Sequence, residues 1–365
     1  MKRWSPAILV ALIAGYLALS RPEGLTDLRV YVGGVESLQS GTGLYDYFRN
    51  GTAPFTYPPF AALLMLPLSA VPTGLLHLIW TAGTALAVAA LALLVDRRAA
   101  PLVALVLMLS APVSSTFKYG QVSLLLAVLV ATDVLLLRHS RHQGVLIGLA
   151  AAIKLTPLIF IPMLWLTGRR RAAGVATATF LACGLLAAHL LPAESWRYWT
   201  TEFHDVSRLG FITSVGNQSL NGALLRLGVP HRELLATALA GLIAATALLA
   251  TRNLDRLAAL VITGAASVVL SPVSWTHHQI WLVLAAFLPL AHATRALILA
   301  VMLLPVTALG LWPLQESRLL LATALCLALP ALLSSPPLPA VTPTPRGGRC
   351  PTPPSAAPAP PRPTP

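Results

Sequence analysis

Charge is what this chain has least of. Asp, Glu, Lys and Arg make up 10% of its 365 residues, where soluble domains carry about 25%. So few charges cannot coat a water-facing surface, which excludes a soluble globular enzyme. Acids are scarcer than bases: twelve Asp and Glu stand against twenty-five Lys and Arg, for a net charge of +13. Cysteine is nearly absent. Cys183, Cys326 and Cys350 are scattered without metal-ligand spacing, so neither a disulfide framework nor a zinc site is expected. No HExxH frame is present either, and no metal is expected.

What the chain has in excess is apolar sequence. Hydrophobic residues make up 56%, and the mean hydropathy is +0.75. The apolar runs are continuous rather than alternating, which predicts an all-α polytopic membrane protein and not a β-barrel. A spanning helix needs roughly 20 apolar residues. The runs predict spans at 5–20, 73–95, 100–114, 120–137, 143–154, 156–168, 172–191, 231–251, 256–271, 274–291, 296–312 and 318–334. That is twelve. The first resembles a signal peptide in length, but Ser20-Arg21-Pro22 lacks a small-x-small cleavage site. Run 59–71 is interrupted by Pro67 and bounded by prolines, and reads as a re-entrant or interfacial piece. Residues 1–334 form the membrane domain. The tail 335–365, rich in Pro, Ala and Thr, is expected to be a disordered extension.

The charges sort by loop. With twelve spans, one set of loops and ends holds fifteen basic residues and three acids, while the other holds ten basic residues and nine acids. The basic excess follows the positive-inside rule, so it marks cytoplasmic loops and not a nucleic-acid surface. Both termini are then cytoplasmic. The unusual polar residues fall on the other side of the bilayer.

Those residues are the candidates for chemistry. Asp27, in TDLRVY, follows the first span closely and opens a polar stretch, Thr26–Phe60. It suits a general base taking a proton from a sugar hydroxyl, and equally the N-cap of a surface helix. Tyr57, in FTYPPF, sits where two prolines fix the backbone. Lys118 (FKYGQ) and Lys154 (AAIKLTP) suit a donor phosphate; each also suits a lysine snorkelling to the interface. Gln121 can bond a sugar or cap a helix. Asn217, Gln218 and Asn221, in GNQSLNG, offer amide donors and acceptors to sugar hydroxyls or to helix caps. Trp275, His277 and His278, in SPVSWTHHQIW, offer a stacking face and imidazoles for a phosphate or hydroxyl. Adjacent helical histidines point too far apart to share a metal.

Taken in order, DLRVY, GTGLYDY, FTYPPFAALLMLPL, KYGQVSLLL, GLAAAIKLTPLIF, NQSLNG and SPVSWTHH resemble glycosyltransferase family 87, of the GT-C membrane fold. The likeness runs from about Asp27 to Trp281. It implies a first outer loop carrying the catalytic acid at Asp27, with His277 and His278 in an HH motif and Lys118 and Lys154 in KxGQ and KxxP segments. Ser123 stands where the family more often has Asn. The resemblance further implies a polyprenyl-phosphate-sugar donor, no nucleotide-sugar site and no cofactor. The acceptor would be a glycolipid or lipoglycan at the lipid bilayer. Mannose is the expected sugar, and arabinofuranose from a decaprenyl-phosphate donor is the alternative. A twelve-span transporter or lipid flippase is the reading from another class, but the halves show no repeat.

Overall fold

The structure is a computed structural model and describes residues 24–334. The first expected span and the tail 335–365 lie outside the described residues. The rest is almost entirely helical. Helix α1 (Thr26–Gln39) leads to a two-stranded hairpin, β1 (Phe48–Arg49) and β2 (Ala53–Pro54), turned by Asn50 and Gly51 at positive φ. Then come α2 (Pro59–Met65), which continues as a 3-10 turn to Ala70, α3 (Thr73–Val95), α4 (Ala100–Leu109) and α5 (Ala111–Tyr119). They are followed by α6 (Ser123–Leu135), α7 (Val145–Ile153), α8 (Phe160–Leu166), α9 (Arg170–Leu190) and α10 (Pro192–Thr200). The chain closes with α11 (Leu220–Arg226), α12 (Arg232–Ala250), α13 (Arg256–Leu270), α14 (Ile280–Leu284), α15 (His292–Leu303) and α16 (Ser317–Ser334).

Among the described residues four helices are long and apolar enough to cross a membrane: Thr73–Val95, Arg170–Leu190, Arg232–Asn253 and Leu314–Leu333. The pair α4–α5 makes a fifth if its 66° bend is counted within one span. The expected count of twelve is not reproduced. Composition reads a run as continuous where prolines and polar residues break the helix. Pro112 breaks 100–114 after Ser110, which is extended. Pro157 forbids the i−4 bond that would join 143–154 to 156–168, so α7 stops at Ile153. Run 274–291 is broken most finely, into a 3-10 turn Thr276–His278, the short α14 and a second 3-10 turn. Run 296–312 stops helically at Leu303, before Pro305. Run 59–71 keeps the short, interrupted form expected of it.

The long helices carry side chains with no protein neighbour. On α9, Leu181, Leu185, Leu186 and Leu190 are all exposed, Leu185 by 71%. In water such a face is a liability; against lipid it is the expected surface.

The short helices matter because of where they stop. Helix α7 runs alongside α9 in the same direction: Gly144 abuts Ala172 and Ala176, Gly148 abuts Ala176 and Phe180, and Ala152 clusters with Ala187. Its start is tied down by Asp133 of α6, which is fully buried. That carboxylate accepts the backbone N–H groups of Gly144 (2.8 Å), Leu146 (2.9 Å) and Ile147 (3.1 Å). These are donors that a helix N-terminus otherwise leaves unmade. Anchored there, α7 ends at a fixed depth and delivers Lys154.

Candidate active site

Four breaks in helix converge on one cavity of about 580 Å³. The first is the start of α1. Leu25 takes a left-handed conformation (φ 58°), and its N–H donates to the Lys118 carbonyl at 2.8 Å. This sets Asp27 in the first helical turn, where the helix dipole favours a carboxylate, with Tyr31 one turn on along the same face. The second break is Gly120, at φ +70°, where α5 ends. A side chain there would also press 2.9 Å from the Leu28 Cβ. This left-handed residue turns Gln121 back toward Asp27. The third break is Lys154, which caps α7 in extended conformation. The fourth is the turn Thr276–His278, reached after Pro272.

These side chains join in one chain of hydrogen bonds. The Gln121 amide Nε2 donates to Asp27 Oδ2, and Gln121 Oε1 accepts from the Tyr57 hydroxyl at 3.0 Å. Tyr57 spends its proton on Gln121, so the Tyr31 hydroxyl, 2.8 Å away, donates to it. The Lys154 ammonium approaches the same phenolic oxygen at 3.5 Å and sits 5.2 Å from the ring centroid. Its Nζ lies 2.8 Å from His278 Nε2. His278 Nδ1 accepts from the Trp275 backbone N–H at 3.2 Å. His277 stands edge-on to His278, 4.5 Å between centroids, and both its ring nitrogens are buried without a partner. They are polar atoms waiting for a ligand.

Asp27 itself is half-buried. Burial pushes its carboxyl above the ordinary value of 3.8, opposed by the Gln121 hydrogen bond, the Lys154 charge, Thr26 and Arg49. Across the cavity, Arg208 donates to the Tyr45 carbonyl (2.7 Å) and pairs with Glu202 (2.8 Å). Arg197 bridges Glu202 (2.8 Å) to Asp46 (2.7 Å). This lattice holds the loop after α10 against the segment before β1.

Asp27, Tyr57, Gln121, Lys154, Trp275, His277 and His278 all line the cavity. The remaining candidates do not. Lys118 is exposed on the far face of the last turn of α5, 5.0 Å from the Tyr119 ring centroid, and Tyr119 takes the cavity-facing position instead. Asn217 and Gln218 are wholly buried and spent on backbone. Asn217 donates to Ile212 O (2.9 Å) and accepts from Ser274 N (2.9 Å). Gln218 donates to Val215 O and Gln315 O (both 2.8 Å) and accepts from Arg318 N (3.1 Å) and Leu319 N (3.2 Å). Asn221 lies inside α11, away from the cavity, with its Oδ1 buried. Amides suit sugars and main chain equally well, and here the main chain has taken them.

Sequence reasoning missed Tyr31, Tyr119, Glu202, Asp205 and Arg208 in the cavity wall. For Tyr31 the signal was present, since DLRVY spaces it four residues from Asp27. For Arg208 there was none, because its partner at the cavity wall is the Tyr45 carbonyl, 163 positions away. Among the described residues, no three His, Cys, Asp or Glu side chains converge where a metal ion would sit.

A profile of glycosyltransferase family 87 matches residues 55–272. The chain belongs to glycosyltransferase family 87. It is therefore a glycosyltransferase. The polyprenol-phosphate-mannose-dependent α-(1-2)-phosphatidylinositol pentamannoside mannosyltransferase of Mycolicibacterium smegmatis is 36% identical over 311 residues, 78% of this chain and 74% of that protein. The polyprenol-phosphate-mannose-dependent α-(1-2)-phosphatidylinositol mannoside mannosyltransferase of Mycobacterium tuberculosis is 32% identical over 289 residues, 70% of this chain and 68% of that protein. No solved structure matches the chain.

Proposed function

We propose that the chain moves mannose from a polyprenyl-phosphate-mannose donor to a hydroxyl of a mannosylated glycolipid or lipoglycan, inverting the anomeric carbon. In this reading the cavity opens on the extracytoplasmic side and both termini are cytoplasmic, which the basic excess of one set of loops supports. Asp27 is the general base. Its Oδ2 is engaged by Gln121, while Oδ1 has one long contact, from Thr26 at 3.4 Å, and is left to accept the acceptor proton. As that proton leaves, the acceptor oxygen bonds to the anomeric carbon, and the bond from that carbon to the phosphate oxygen breaks with its electron pair. Polyprenyl phosphate departs as an anion.

The phosphate end needs donors. Lys154 Nζ and His278 Nε2 lie 2.8 Å apart, and both residues line the cavity. A phosphate oxygen arriving there takes a hydrogen bond from the Lys154 ammonium, and charge developing on it in the transition state is stabilised by preorganised groups. His277 supplies a further donor or acceptor beside them.

The observation that carries this reading is the relay Asp27–Gln121–Tyr57–Lys154. It fixes the base and the phosphate cation relative to one another along the cavity, so that the attacking hydroxyl and the leaving phosphate can flank the anomeric carbon. Membranes containing the protein, incubated with radiolabelled polyprenyl-phosphate-mannose, are expected to place label in a mannosylated lipid with α-(1-2) linkage. Label entering only from decaprenyl-phosphate-arabinose would reassign the sugar. Label entering from neither would remove the reading.

A further inference from the structure

At the other end of the bundle lies a second pocket, of about 490 Å³. Helix α13 separates the two: Arg256 opens it at this pocket, and fifteen residues on, a rise of about 22 Å, the chain reaches Ser271 at the active-site cavity. Arg138, Arg169, Arg252 and Arg256 line this second pocket, drawn from the end of α6, the start of α9 and the α12–α13 turn. Gathering four guanidinium groups is unfavourable unless something negative meets them. The protein supplies only part of it, from Asp255 in the pocket lining and from Asp133, whose charge reaches Arg169, and both carboxylates already hold backbone. Asp255 caps α13, accepting from Leu257 N and Ala258 N, and Asp133 is committed to the start of α7. None of the four arginines takes part in the ion pairs found among the described residues. The Nη1 atoms of Arg169 and Arg256 are buried with no hydrogen-bond partner. A buried donor without an acceptor is costly, and both of these arginines line the pocket. Burial and the neighbouring Arg256 and Arg138 charges also pull the Arg169 guanidinium below its ordinary value, against an opposing pull from Asp133.

Guanidinium forks match the oxygens of a phosphate in pairs. Around them Val134, Met163, Leu254 and Leu257 give the pocket an apolar wall. A free anion has no use for such a wall, whereas the glycerol and first methylenes of a lipid do. Arginines that only mark topology look different: Arg97 and Arg98, after α3, are exposed and lie outside the pocket.

We propose that this pocket is a phosphate-anion site, filled by the headgroup phosphate of an anionic phospholipid in the leaflet on that side. A ligand that binds only the folded protein raises its stability in proportion to the logarithm of its concentration over Kd. The purified full-length protein in neutral detergent is titrated with phosphatidylglycerol, phosphatidylcholine or inorganic phosphate. Tm is followed by tryptophan fluorescence, and retained lipid by native mass spectrometry. Phosphatidylglycerol is expected to raise Tm saturably, with phosphatidylcholine well behind. In the Arg169→Gln/Arg256→Gln double variant the apparent affinity should fall at least about tenfold, the loss of a charge-assisted hydrogen bond. Arg97→Gln/Arg98→Gln should stay within about twofold of wild type. Should the double variant fail to fold, Arg138→Gln and Arg252→Gln, at exposed positions, are expected to weaken binding in the same direction. Inorganic phosphate matching the full phosphatidylglycerol shift would make the ligand a soluble phosphate and overturn the lipid assignment. Equal titrations by wild type and the pocket variants would overturn the site altogether.

Discussion

Two polar stretches of this chain look alike in sequence and do opposite work. The segment Tyr119–Gln121 and the segment Asn217–Asn221 each set amide chemistry beside a glycine, next to an apolar helix. In the first, Gln121 turns its amide to a carboxylate and a phenol in the cavity wall. In the second, the Gln218 amide makes four bonds, all to backbone. Arg226 seals that second module, pairing with Glu316 through two contacts (2.7 and 2.6 Å) and donating to Ser214 O and Asn217 O. The module clamps the start of α16 and Ser274, which precedes Trp275 and the histidines. One stretch faces the cavity and the other holds its wall in place. What separates them is whether the side chain's partners are other side chains or main chain, and composition does not reveal that.

Mutation should pull the two apart, and the largest effect belongs to the cavity wall. Asp27→Asn keeps an acceptor for Gln121 but removes the base, and transfer is expected to fall by about 10² to 10⁴-fold, read as label incorporated per unit of protein. The sign for stability runs the other way. Burial raises the folded carboxyl above 3.8, so its contribution to stability is full below that pH and is lost as pH rises through the raised value. Asp27→Asn is therefore expected to melt no lower than wild type at neutral pH. Wild-type transfer should rise with pH through a window above the usual carboxylate range. Lys154→Gln, which removes the cation but keeps a donor, is expected to cost about 10²-fold in transfer, more in kcat than in KM.

Gln218→Ala should show the opposite pattern. Four backbone groups lose their partner inside the protein, and a loss of about 3 kcal/mol in stability is expected, seen as a lower Tm in detergent. Transfer per folded molecule should change little. A transfer loss as large as that of Lys154→Gln, without a drop in Tm, would place Gln218 with the reactants and undo the comparison. The smallest effect belongs to Lys118→Ala. Its side chain points outward, and transfer is expected to stay within about twofold of wild type, in the range of ordinary surface changes.

Legibility in the sequence follows the same division. Asp27, Gln121, Lys154 and the paired histidines were readable because each is a costly residue beside a long apolar run, where a polar group needs a partner or a purpose. The helical membrane character was readable from composition. The helix lengths were not, because Pro112, Pro157 and Pro305 cut runs that hydropathy joins, and the end severed at Pro157 carries Lys154 to the cavity. The outward turn of Lys118 depends on which face of a single helical turn meets α1. Arg208 enters through a bond to the Tyr45 carbonyl, 163 positions away, beyond any local pattern.

The central claim is that one carboxylate on the cavity wall drives the chemistry and is not needed to hold the donor. Donor binding and single-turnover transfer, measured side by side on wild type and Asp27→Asn, test it most directly. The account predicts donor affinity within a few-fold and a turnover rate lower by at least about 10²-fold. An unchanged turnover rate, or a loss explained wholly by donor affinity, would contradict it.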